Sequence, residues 1–160
     1  MPKVTKGRMT HHHDGELVVF HIGMQINRWW RPDLWMPAFF AMPRMLRELS
    51  TDEDSGLLGF QLMFGGGGPY VTQYWSSIDK LYAYASAPSQ EHRPAWTAFN
   101  KAARRAPGAV GIWHETFLVE RAESVYVSTK TMGLAKAVGA VEVGKRHDRA
   151  QARFADGKTG

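Results

Sequence analysis

Three ionisable side chains set in apolar company define what chemistry this sequence could perform: His92, His114 and Glu115. An imidazole exchanges protons near neutral pH, so a histidine facing a dry cleft is a candidate general base. A carboxylate in the same setting must find a partner, because an unpaired buried charge is costly. His114 and Glu115 lie in the run Gly-Ile-Trp-His-Glu-Thr-Phe, residues 111–117, whose β-branched and aromatic residues predict a strand. Successive strand residues face opposite sides. His114 thus goes with Val110, Ile112, Thr116 and Leu118, and Glu115 with Gly111, Trp113, Phe117 and Val119. Both sets are mostly apolar, which predicts a strand covered on both faces. His92 follows helical spacing with Trp96, Phe99 and Ala103, so it points the same way as an aromatic stripe. Satisfied by a backbone carbonyl, it would be a core histidine instead of a reacting one.

The elements that must position these groups follow from periodicity. Residues 16–27 predict a first strand with Val18, Phe20, Ile22, Met24 and Ile26 on one apolar face. The other face is mixed and carries His21, which suits a subunit interface. Residues 28–35 read as a tryptophan-dense loop, able to rim a pocket, fill a dimer contact or cap the core. A helix is expected over 36–50, with Pro37 in its first turn and Pro43 kinking or restarting it. An acidic connector, 51–55, precedes a strand over 56–64. The glycines 65–68 form a loose turn into a strand over 70–75. No Gly-Lys-Ser/Thr and no helix follow, so a phosphate loop is excluded. Ser76 with Asp79 resembles a capping box for a helix to about residue 85. A second helix over 91–105, the strand 109–119 and a short extended segment 124–128 complete the pattern.

Composition bounds the class. The 160 residues suffice for one domain with a real core. No apolar run reaches the roughly 18 residues needed to span a bilayer, no apolar leader is evident, and cysteine is absent, which together make a cytoplasmic location the default expectation. The net charge of +5 is concentrated at the ends, where residues 1–15 and 139–160 are expected to be a disordered lead and a mobile basic tail. No motif supports nucleic-acid binding. His11, His12 and His13 read as solvated side chains and not as a metal site.

Strand, helix, strand, strand, helix pair, strand is the split βαβ order of an α+β, ferredoxin-like fold: a four-stranded antiparallel sheet with helices on one side. The bare face would be covered by a two-fold homodimer. Within this frame, Gln73-Tyr74-Trp75-Ser76-Ser77, His92-Arg93-Pro94-Ala95-Trp96 with Phe99-Asn100, and Val110 to Phe117 resemble the fumagillin-type monooxygenase-like family. That family looks like a branch of the dimeric α/β-barrel superfamily that holds the antibiotic-biosynthesis monooxygenases. The resemblance covers residues 16–138. It implies a cavity between sheet and helices near His92, Trp96, Phe99, Tyr74 or Trp75, and His114.

Several functions are compatible with that implied site. In a small oxygenase of secondary metabolism, His114 or His92 would deprotonate an apolar or aromatic metabolite and Tyr74 or a tryptophan N–H would stabilise the oxyanion. Phe20, Met24, Phe60, Met63, Trp75, Trp96, Phe99 and Trp113 would supply apolar walls. No flavin, nicotinamide or non-haem iron motif is visible, so a cofactor-free route is the simplest. In a haem protein, His92 would be the axial ligand, with Arg28, Arg31 or Arg93 on the propionates. A lyase, isomerase or cyclase could use the same acid–base pair, Glu115 included. In a non-catalytic dimer, Glu115 would be structural, bonded to Arg121 or a partner's backbone.

Overall fold

The computed structural model describes residues 4–87 and 92–159, the side chain of His92 excepted. In chain order its elements are β1 (Arg8–His11), β2 (Leu17–Ile26), α1 (Pro32–Thr51), β3 (Leu57–Gly65) and β4 (Gly68–Trp75). Then come α2 (Ile78–Ser86), α3 (His92–Arg105), β5 (Val110–Val119) and β6 (Tyr126–Val127). The chain closes with α4 (Gly133–Val138), β7 (Ala140–Glu142), a 3-10 turn (Lys145–His147) and α5 (Ala150–Asp156). No helix among the described residues is long and apolar enough to cross a membrane.

The main sheet has the order β3-β4-β2-β5, with every neighbouring pair antiparallel. This is the ferredoxin-like arrangement, and the fold is α+β. Register joins faces across strands. Phe20 stands opposite Gln73 and Thr116, Ile22 opposite Val71 and His114, and Met24 opposite Ile112. These residues share one face; α1 and α2 pack on it, and α3 packs on α1. Two small cores seat the helices. One is Val18, Leu49, Trp75 and Leu81, with Trp75 fully enclosed. The other joins Leu34 of α1 to Ala102, Ala106 and Ala109 at the end of α3. Burying an aromatic of this size is the largest single apolar contribution available to such a core.

Some elements differ from the expectations. Pro32, not Pro37, takes the start of α1, and the helix continues through both Pro37 and Pro43, whose residues are exposed. Each proline removes one backbone donor, and on this exposed side the helix tolerates it. The α2 cap is Ser77, whose hydroxyl accepts from the Lys80 amide at 3.1 Å. The β3–β4 turn is only Gly66-Gly67, both at positive φ (61° and 91°), as a two-residue hairpin turn requires. Trp29 and Trp30 are exposed, while Trp35 belongs to α1 and its indole N–H donates to the Trp29 carbonyl at 3.3 Å.

Among the described residues β5 pairs with β2 alone and is a sheet edge, and because His114 and Glu115, one on each face, are both exposed, neither face of the strand is closed over within the chain. The lead and tail also depart from the expected disorder. Strand β1 pairs with β6 and β7 in a second, three-stranded sheet. The tail is anchored by Arg153, which is 7% exposed and pairs with Glu123 while donating to the carbonyls of His147 and Asp148 at 2.8 and 2.9 Å. Arg8 meets Asp148, and Thr159 meets the Val119 carbonyl. Polar anchors of this kind leave no hydrophobic period to read.

Candidate active site

Between the helix-side face of the main sheet and helices α1, α2 and α3 lies an open cavity of about 900 Å³. Its floor comes from alternate residues of the strands: Phe20, Ile22, Phe60, Leu62, Ile112, His114 and Thr116. Its walls come from Phe39, Met42 and Leu46 of α1, Leu81 and Tyr82 of α2, and Trp96 of α3. The lining is predominantly apolar with a few polar groups, the composition of a small-molecule site. Among the described side chains His114 is the imidazole in it, with its ring 5.7 Å from that of Phe20, tilted by 40°. Strand alternation puts it there: β5 contributes Ile112, His114 and Thr116 to the floor because they are two residues apart.

The same alternation removes several expected residues from the cavity. Val19 pairs with Tyr74 and Phe117, His21 with Thr72 and Glu115, and Gly23 with Tyr70 and Trp113. These pairs belong to the outer face, although Gly23 and Tyr70 also reach the cavity lining at its edge. Glu115 therefore lies across the sheet from His114. It faces the His21 imidazole at 3.8 Å, and not Arg121, whose guanidinium donates to the Ala155 carbonyl. Trp113 packs on Tyr70 with ring centroids 5.5 Å apart. The two close over Gly23, where an added Cβ would lie 2.5 Å from the Tyr70 Cβ and 2.7 Å from the Trp113 ring. Tyr74 sits on the outer face near Gly133 at the start of α4. Burial raises the pKa of its phenol, and Tyr126 adds to the shift. A Tyr74 hydroxyl there cannot reach an oxyanion beside His114. Met63, paired with Tyr70, is on the outer face as well.

Trp75 is on the helix side but belongs to the enclosed core. Its indole N–H donates to the Gln73 side-chain carbonyl at 2.9 Å, and it does not line the cavity. Phe99 stacks on Trp96 at 5.5 Å without reaching the lining. Of the expected residues, then, the structure brings together His114, Phe20, Met24, Phe60 and Trp96. The His92 backbone opens α3, but its side chain lies outside the described residues. Of the three arginines considered for haem propionates, only Arg93 lines the cavity; Arg31 is held by Asp33 through hydrogen bonds of 2.8 and 2.9 Å. Among the described residues no group of three or more metal-ligating side chains could hold a metal ion. Sequence reasoning missed Thr116 and Arg47 as lining residues. Thr116 carried a signal, since it stands two residues from His114; Arg47, flanked by core leucines of α1, did not.

A family model described as Monooxygenase af470-like matches residues 17–134 of the chain. Monooxygenase af470 of Aspergillus fumigatus is 30% identical to it over an alignment of 153 residues, covering 84% of this chain and 50% of that protein. The chain therefore spans about half the length of the curated relative it matches. Among solved structures, SnoaB, a cofactor-independent oxygenase from Streptomyces nogalater, superposes with a TM-score of 0.47 at 14% identity, covering 68% of this chain and 97% of that one. A dimeric ferredoxin-like protein of unknown function from Thermobifida fusca gives 0.43 at 18% identity, covering 68% and 100%.

Proposed function

Because the chain belongs to the Monooxygenase af470-like family, we propose that it is a monooxygenase that oxidises an apolar or aromatic metabolite in the helix-side cavity, with His114 as general base and no bound cofactor. The observation that carries this reading is the His114 imidazole on the floor of a large, mostly apolar chamber. A base placed beside a desolvated ring is what carbanion chemistry needs. A neutral His114 nitrogen takes a proton from an activated C–H bond. The resulting carbanion passes electrons to O₂, and the peroxide anion takes the proton back from His114 to give a hydroperoxide on a carbon that still carries one hydrogen. Loss of water then leaves a carbonyl, so one oxygen atom enters the product and the other leaves as water. The Thr116 hydroxyl, on the same face two residues along, is positioned to donate to the developing oxyanion.

Oxygen uptake with a panel of anthrones, activated phenols and enones tests this. The wild-type chain should consume oxygen with at least one of them, and His114→Gln should lower that rate by about 10²–10⁴-fold. Product formed equally well under argon would mean a lyase, isomerase or cyclase. No uptake with any of the panel would overturn the reading.

The same reading includes a homodimer formed through the outer face, where Tyr70, Trp113 and Phe117 gather around His21 and Phe117 is 47% exposed. Sedimentation equilibrium should give twice the chain mass, and Phe117→Lys should shift it towards one.

A further inference from the structure

The cavity has a charge pattern that an apolar substrate alone does not explain. Among the described residues no aspartate or glutamate lines it, whereas two guanidinium groups do, Arg47 and Arg93. Arg47 comes from α1, on the stripe that also brings Pro43 and Ser50 to the lining. Arg93 comes from the first turn of α3, one turn ahead of the wall residue Trp96. Several other arginines are engaged, Arg8 by Asp148, Arg31 by Asp33, Arg121 by a carbonyl and Arg153 by Glu123. Among the described residues Arg47 and Arg93 have no such partner, which is true also of Arg28 and Arg104, but only Arg47 and Arg93 border the cavity. Both are exposed, while the floor beneath them is Phe20, Phe60 and Ile112.

We infer that the cavity takes an anionic amphiphile: an apolar, ring-sized body lying against the sheet, with one carboxylate, sulfonate or phosphate group held by Arg47 and Arg93. Guanidinium groups pair with such anions through charge-assisted, frequently bidentate hydrogen bonds. With no carboxylate among the described lining residues to compete, the ligand supplies the countercharge. Like-charge exclusion works in the other direction, against cationic ligands. The anion fixes one end of the ligand at the rim, which leaves the far end of the ring system to meet His114 on the floor. The inference rests on the proposed function only in taking this cavity as the ligand site; it does not need the oxygen chemistry.

Two dyes with the same aromatic body separate the charge from the rest: 1-anilinonaphthalene-8-sulfonate, which is anionic, and N-phenyl-1-naphthylamine, which is neutral. Fluorescence titration should show the sulfonate binding the wild-type chain about tenfold more tightly. The double variant Arg47→Gln/Arg93→Gln, checked for an unchanged melting temperature, should lose that advantage while binding the neutral dye within about twofold of wild type. Ala38→Trp, which places an indole in the lining, should weaken both dyes. Equal affinity of the two dyes for wild type, a sulfonate preference that survives the double variant, or indifference of both dyes to Ala38→Trp would each overturn the inference. Oxygen uptake is not read in this experiment. A chain that shows the sulfonate preference yet oxidises nothing keeps the anion site and loses the monooxygenase. A chain that consumes oxygen but treats the dyes alike does the reverse.

Discussion

The two faces of the main sheet are made from the same strands and do different things. On the helix side, Val18, Phe20, Ile22 and Met24 of β2 join Val71 and Trp75 of β4 to form a core that opens into the cavity around His114. On the outer side, the intervening residues His21 and Gly23 meet Tyr70, Trp113, Glu115 and Phe117 in an aromatic surface around a histidine–carboxylate pair. His114 and Glu115, adjacent in sequence, are thereby separated by the thickness of a sheet. A pair of ionisable neighbours on a strand is thus two half-sites, and only one of them faces the cavity.

Substitutions can break or sharpen this contrast. The largest stability effect belongs to the helix side. Trp75→Ala should cost about 3–5 kcal/mol, from a cavity left by an enclosed indole together with the loss of its bond to Gln73. Denaturant unfolding measures it, and a cost under about 1 kcal/mol would break the assignment of the core. Gly23→Ala comes next. Its Cβ would strike the Tyr70 and Trp113 side chains, costing about 1–3 kcal/mol by overpacking. Denaturant unfolding reads that cost, and because Gly23 and Tyr70 also border the cavity, ligand affinity there should fall with it. Glu115→Gln should matter less still. The carboxylate is 59% exposed and 3.8 Å from His21, so stability should move by under about 0.5 kcal/mol and turnover by less than about twofold. A large drop in turnover would merge the two faces into one functional unit.

The smallest effect lies far from both faces. His11, hydrogen-bonded to Ser124 at 2.7 Å, has its pKa lowered, first by burial and then by the neighbouring His13. Below about pH 6.5, its ordinary value, the unfolded chain binds the proton that the folded chain resists. Stability therefore rises with pH across that window and falls on acidification through it. Thermal melts at pH 7 and pH 5 should show a drop for the wild type that is smaller in His11→Gln.

Much of this organisation is legible in the sequence. Strand alternation placed His114 with Ile112 and Thr116 and opposed it to Glu115, and the element order gave the ferredoxin-like topology. Alternation is defined only within one strand, however, and register between strands depends on turn length and hydrogen bonding. Tyr74 illustrates the limit: its pairing with Val19 and Phe117 puts it on the outer face, and nothing in its own segment says so. His21 raises the same question, and its pairing with Glu115 answers it. The edge position of β5 follows from sheet order, which the apolar run 110–119 conceals by resembling a central strand. The small second sheet escaped notice because its strands are two to four residues long and its anchors, Arg153 and Arg8, read as tail charge.

The central claim is that the ligand meets His114 on the helix side and not His21 on the outer side. Histidine-ring NMR, assigned with His114→Gln and His21→Gln, tests it most directly when the chain is titrated with an anthrone in the absence of oxygen. The His114 ring signals should move in a saturable way while those of His21 stay in place. Signals of His21 that move while those of His114 do not would contradict it.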